Sequence, residues 1–172
     1  KYADYALGRF FDEAKSHPWF GDTVFVIVGD HGARVYGRED IPLRSYELPL
    51  LVYSPRHLAP RRVDVMTSQI DIAPTVLGML NISYDSAFFG RDVLAGAATG
   101  GLAPLNHNRD IALLENGRLT ELNLRKGSVT LAYDKASNRQ VPLETDAERL
   151  KDAVAVFQSA YDLFTTGKYR VH

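Results

Sequence analysis

One run constrains the fold more than any other. Thr23-Val-Phe-Val-Ile-Val28 has no polar alternation and is rich in β-branched side chains, as a central strand covered on both faces requires. It ends on Gly29-Asp30-His31-Gly32, and in open α/β sheets chemistry gathers at the carboxyl ends of such strands. Neighbours on a regular strand point to opposite faces, so Asp30 and His31 can reach one ion only where the pleat has ended. A glycine on either side permits that break. A carboxylate oxygen beside an imidazole nitrogen suits a borderline divalent ion such as Mn²⁺ or Zn²⁺ better than Ca²⁺. Spacing alone leaves a second reading open, in which Asp30 caps a turn and His31 is an ordinary surface histidine.

Composition narrows the class. With 172 residues and 45% hydrophobic content the chain can bury a sizeable core. A formal net charge of −1, with 24% charged residues of mixed sign, gives no footprint for nucleic acid or an anionic membrane. The pairs Arg61-Arg62 and Arg125-Lys126 are short and scattered, as solvated surface is. No apolar run approaches the roughly 20 residues that cross a bilayer, and no leader pattern opens the chain, so a soluble piece is expected. Zero cysteines exclude disulfides and thiolate metal sites. The chain opens at Lys1 directly into Ala3, Leu7, Phe10 and Ala14 at helical spacing, which is expected of a cut inside a larger protein.

The pattern predicts a first helix over residues 2–15, stopped by His17-Pro18, and then the strand of residues 24–28. Residues 33–47 are polar and irregular, and Tyr36 and Arg38 are the candidate substrate contacts because they closely follow the Asp30-His31 pair. Leu48-Pro-Leu-Leu-Val-Tyr53 predicts a second strand and residues 63–67 a short third one. Asp71-Ile-Ala-Pro-Thr-Val-Leu-Gly-Met-Leu80 predicts a helix with Asp71 near its N-cap, Pro74 in its first turn and Asn81 as its stop. The small-residue run of residues 95–104 reads as a connector. Beyond it, residues 110–115, 119–124 and 129–133 predict short antiparallel strands, joined at Asn116-Gly117 and Lys126-Gly127. Thr145 and Glu148 form a capping box for a final helix, whose stripe of Ala147, Leu150, Val154, Phe157, Tyr161 and Phe164 would cover the small sheet.

With these residues laid out, the chain resembles the carboxyl-terminal part of the extracellular catalytic domain of the lipoteichoic acid synthase and phosphoglycerol transferase family, a sulfatase-like branch of the alkaline phosphatase superfamily. Four ordered segments carry the likeness. Val28-Gly-Asp-His-Gly32 looks like the metal-binding segment and Leu48-Pro-Leu-Leu-Val-Tyr-Ser-Pro55 like the strand after it. Gln69-Ile-Asp-Ile-Ala-Pro-Thr-Val-Leu77 is similar to the signature before the last core helix, and Phe89-Gly-Arg-Asp-Val-Leu94 to the segment that closes the main fold. In the sulfatases proper a histidine often stands at the place of Gln69, so the glutamine favours the transferase side.

The resemblance implies an α/β fold, the C-terminal part of an alkaline-phosphatase or sulfatase-like mixed-sheet core over residues 1–104. A small antiparallel sheet covered by a C-terminal helix would follow over residues 105–172. Asp30 and His31 would supply two ligands to one divalent ion, Mn²⁺ by resemblance. No catalytic residue is carried over, because the family's nucleophilic threonine and a further acidic ligand lie upstream of the matched segments. Thr23, Thr67 and Thr75 stand in the wrong motifs. The implied partners are a phospholipid donor, a glycan or polymer acceptor and the N-terminal part of the same protein, at the extracytoplasmic face of a membrane. The rival readings are a sulfatase or phosphodiesterase-type hydrolase of the same superfamily, and a noncatalytic binding domain.

Overall fold

The structure is a computed structural model and describes residues 1–33, 39–95 and 100–170. They form two compact units, one drawn from Lys1–Arg38 and Pro42–Val63, the other from Glu39–Ile41 and Asp64–His172.

In the first unit, helix α1 (Tyr2–Ala14) leads through a short 3-10 turn (Phe20–Asp22) to strand β1 (Phe25–Val28). Strand β2 (Leu50–Tyr53) runs antiparallel to it, with Phe25 opposite Tyr53 and Val28 opposite Leu50. The helix meets the strand pair through Phe11, whose ring lies 5.1 Å from Phe25 and 5.7 Å from Tyr53, edge-on to both. Such contacts add to the area that aromatic rings bury. The full cover expected for the β1 run is not supplied by the described residues: Val28 is 37% exposed, and Leu51 on its partner strand β2 is 57% exposed. Of the stripe expected on α1, Ala14 is buried while Leu7 and Phe10 stay exposed and line an open groove of about 480 Å³ along β1.

The second unit begins with a 3-10 turn (Gln69–Asp71) running into helix α2 (Ile72–Met79). Asp71 is 3% exposed, and its carboxylate accepts from the Ser68 N–H at 2.8 Å and the Arg91 N–H at 2.9 Å. One buried acid thereby closes a capping box with Ser68 on the 3-10 turn that leads into the helix, and fastens the chain twenty residues on. Pro74 is buried in the first turn, and Asn81, at φ 53°, ends the helix as expected. Residues 63–67 form no strand.

A five-stranded antiparallel meander follows: β3 (Leu102–His107), β4 (Asp110–Glu115), β5 (Arg118–Leu122), β6 (Ser128–Asp134) and β7 (Arg139–Leu143), in that spatial order. Asn116 and Gly117, at φ 50° and 72°, make the tight β4–β5 turn that the sequence announced. β3 takes in Leu102, Ala103 and Pro104, so the connector expected over residues 95–104 ends earlier than its small-residue composition predicts.

Register assigns the two faces. Leu105, Ala112, Glu121 and Val129 are successive cross-strand partners and share one; Pro104, Leu113, Thr120 and Thr130 share the other. Helix α3 (Ala147–Thr166) covers the second face, where Ala153 is fully buried and Arg149 Nη1 pairs with Glu115 Oε2 at 3.0 Å. Its N-cap is Asp146, whose side chain accepts from the Glu148 and Arg149 N–H groups, and not Thr145. The stripe covers the sheet only over its middle turns, since Tyr161 is 69% and Phe164 74% exposed. A 20-residue helix is about 30 Å long and outruns strands of five to seven residues. The α/β chain with a small antiparallel sheet and a C-terminal helix is thus what the structure shows.

Candidate metal centre

β1 ends at Val28, so Asp30 and His31 stand past the last pleated residue, on the turn where two neighbours can face one point. Asp30 Oδ1 and His31 Nε2 are 3.9 Å apart, with side chains 92% and 84% exposed. Metal bonds of about 2.0–2.2 Å each can bridge that separation, so one ion fits between them. The His31 Nδ1–H donates to the Gly32 carbonyl at 3.0 Å, which fixes the tautomer and leaves the Nε2 lone pair free. Asp30 Oδ1 also accepts the His31 backbone N–H at 3.0 Å, which orients the carboxylate and leaves Oδ2 open.

The flanking glycines serve differently from the sequence argument. Neither Gly29 nor Gly32 has a positive φ; a side chain at Gly32 would instead collide with the Ser45 carbonyl. The restriction is close approach of backbone, one of the standing uses of glycine.

Two donors are fewer than the three or four protein ligands of most tight sites. Among the described residues no group of three or more His, Cys, Asp or Glu side chains is placed to hold a metal ion. Tyr36 and Arg38 lie outside the described residues. The three threonine hydroxyls are bonded to backbone: Thr23 to Trp19 O at 2.7 Å, Thr67 to Val65 O at 3.0 Å, and Thr75 to Arg91 O at 3.4 Å while it accepts from Val93 N–H. Of the other described histidines, His17 stacks on Trp19 at 5.3 Å and His107 pairs across β3 and β4 with Asp110.

Two groups escaped the sequence reading. Asp22 sits within 3.3 Å of both Arg56 and His57, and the hydrogen bonds from Arg56 and then His57 hold its carboxyl below the usual range. A separation of 34 residues gave no local signal for it. Glu121 is 7% exposed, and burial, followed by the Asp40 and Asp110 charges, pushes its pKa up to about 7. The signal for Glu121 was present, because it follows Leu119 at the two-residue spacing of a strand face.

Residues 1–82 match the model of the Sulfatase family. Over 81 residues the chain is 27% identical to a sulfatase of Formosa agariphila, covering 44% of this chain and 16% of that protein. It is also similar to the crystal structure of a protein in the alkaline phosphatase superfamily from Vibrio parahaemolyticus. The TM-score is 0.91 at 30% identity, covering 99% of this chain and 42% of the other. The chain therefore spans less than half the length of either relative. The fold matches that of the alkaline phosphatase superfamily.

Proposed function

We propose that these residues are the C-terminal portion of the catalytic domain of a metal-dependent phosphoglycerol transferase of the lipoteichoic acid synthase type. The parent protein would move phosphoglycerol from a phospholipid donor to a glycan or polymer acceptor, at the extracytoplasmic face of a membrane to which it is anchored. No helix among the described residues is long and apolar enough to cross a membrane, so the anchor is assigned to other sequence of the parent. The reading rests on the pair beyond β1, with Asp30 Oδ1 and His31 Nε2 3.9 Å apart and Nδ1 held by the Gly32 carbonyl.

Asp30 and His31 would hold one divalent ion, Mn²⁺ by resemblance, which when bound neutralises charge on a phosphoryl oxygen and lowers the pKa of a nearby hydroxyl. Asp30 contributes an oriented anionic oxygen, and His31 a neutral ring with Nε2 turned outward. Neither attacks the substrate. The nucleophile is assigned to a threonine of the parent outside these residues, since Thr23, Thr67 and Thr75 are bonded to backbone. Tyr36 and Arg38 are retained as proposed substrate contacts. The groove lined by Leu7, Phe10, Phe11 and β1 is the proposed seat of the remainder of the domain.

A second reading, sulfate ester hydrolysis, is favoured by the family match over residues 1–82. The intact protein loaded with Mn²⁺ should be assayed side by side on a phosphoglycerol-headgroup phospholipid and an aryl sulfate. Metal-dependent release of diacylglycerol is the expected result; sulfate release without lipid turnover would replace the first reading with the second. The 172 residues alone, with two metal donors and no assigned nucleophile, should show no phosphodiesterase turnover, and measurable turnover would overturn that assignment.

Gly32→Ala tests the positioning of the pair. Pushing the backbone away from Ser45 moves the carbonyl that steadies His31. In the intact protein Mn²⁺ affinity by calorimetric titration should fall about 10–100-fold, the usual cost of losing a ligand's supporting bond. Unchanged affinity would mean that the Gly32 carbonyl does not orient a ligand.

A further inference from the structure

Glu121 is the acid that the proposed metal chemistry does not use. It lies on the face of the five-stranded sheet opposite α3, in line with Leu105, Ala112 and Val129. That face is crossed by Glu39–Ile41: Ile41 is fully buried, and Gln140 Nε2 donates to its carbonyl at 2.8 Å. Gln140 partners Tyr133, which shares a face with Val129, so the bond fastens the segment over the side on which Glu121 lies. Glu121 Oε1 is buried without a hydrogen-bond partner. An ionised carboxylate so placed lacks both water and a counter-charge, and either lack is costly.

The surrounding charges oppose ionisation. Asp40 on the crossing segment and Asp110 on β4 both act on Glu121 as like charges. His107 on β3 stands opposite Asp110, Glu39 precedes Asp40 on the segment, and the facing positions on β6 and β7, Val129 and Gln140, carry no charge.

We propose that Glu39–Ile41 is a proton-operated clasp on the five-stranded sheet, closed while Glu121 is neutral and released when Glu121 ionises. Release gives the carboxylate water and separates it from Asp40, while α3 continues to cover the other face. These three residues are the part of the chain between Gly32 and Pro42 that belongs to the second unit.

The test is a pH series on the intact protein, following by NMR the Ile41 methyl and Gln140 side-chain amide signals. The open-to-closed ratio should rise about tenfold per pH unit above the ordinary carboxyl range and level off above about 7. Glu121→Gln should stay closed throughout. Asp40→Asn, which removes one like charge, should hold the clasp closed to higher pH. Signals that ignore pH while the sheet stays folded would overturn the proposal, as would a transition that persists in Glu121→Gln. Should that variant fail to fold, Asp40→Asn decides alone, and an opening curve identical to the parent's would overturn it.

Discussion

His31→Ala in the intact protein is expected to lower metal-dependent turnover by at least about 100-fold, and Asp30→Ala by a similar factor. Losing a group that merely supports a metal ligand commonly costs 10–100-fold, so loss of the ligand itself starts at the top of that range. Both side chains are more than four-fifths exposed and make few contacts with the rest of the fold. Folding stability should accordingly change little, and thermal melts of the metal-free variants should overlay the parent. Because the two groups would hold one ion, the double variant should be about as impaired as the worse single one. Excess Mn²⁺ should restore part of the activity in either single variant and little in the double. A protein in which Asp30 only caps a turn and His31 only meets solvent would keep its function in all three, and that result would remove the metal assignment.

How far the sequence carried the fold depends on which positions spoke through side-chain pattern. The β1 run, Pro74 in the first turn of α2, and Asn116-Gly117 between β4 and β5 each encode a local preference that no distant contact contradicts. β3 begins inside the small-residue run that reads as a connector, and both β3 and β7 hold a proline, Pro104 and Pro142, which weakens a strand pattern. Both are edge strands, where a missing N–H can point away from the ladder. The final helix was legible as a helix, but its periodicity could not tell that the sheet beneath is shorter than the helix, so Tyr161 and Phe164 were assigned to a core they do not reach. The Asp30-His31 pair was readable because it is contiguous. Its supporting bond to the Gly32 carbonyl was not, since backbone acceptors leave no mark on composition. The apolar pattern of β1 and α1 also asks for more cover than the described residues give, which agrees with a chain spanning 42% of its solved relative.

Removing the charge at residue 121 should stabilise the second unit in a way that depends on pH. The Glu121 pKa moves from an ordinary 4.5 to about 7 in the folded chain, so between those values the native state holds a proton that the unfolded state has lost. The unfolded state therefore binds fewer protons, and stability falls as pH rises across that window. The contribution is fully present below about 4.5, is lost progressively up to about 7, and is constant beyond. The shift sets a ceiling of roughly 3 kcal/mol on the loss. Release of Glu39–Ile41 would let water reach the carboxylate before the unit unfolds, so about 2 kcal/mol should be observed. Glu121→Gln keeps the shape and cannot ionise. Denaturant unfolding monitored on the sheet should thus find it about 2 kcal/mol more stable than the parent near pH 8, and nearly equal near pH 4, where the parent is neutral as well. A constant difference between the two at every pH would trace the effect to packing of the amide. No difference at either pH would mean that Glu121 reaches water in the folded chain and carries no buried charge.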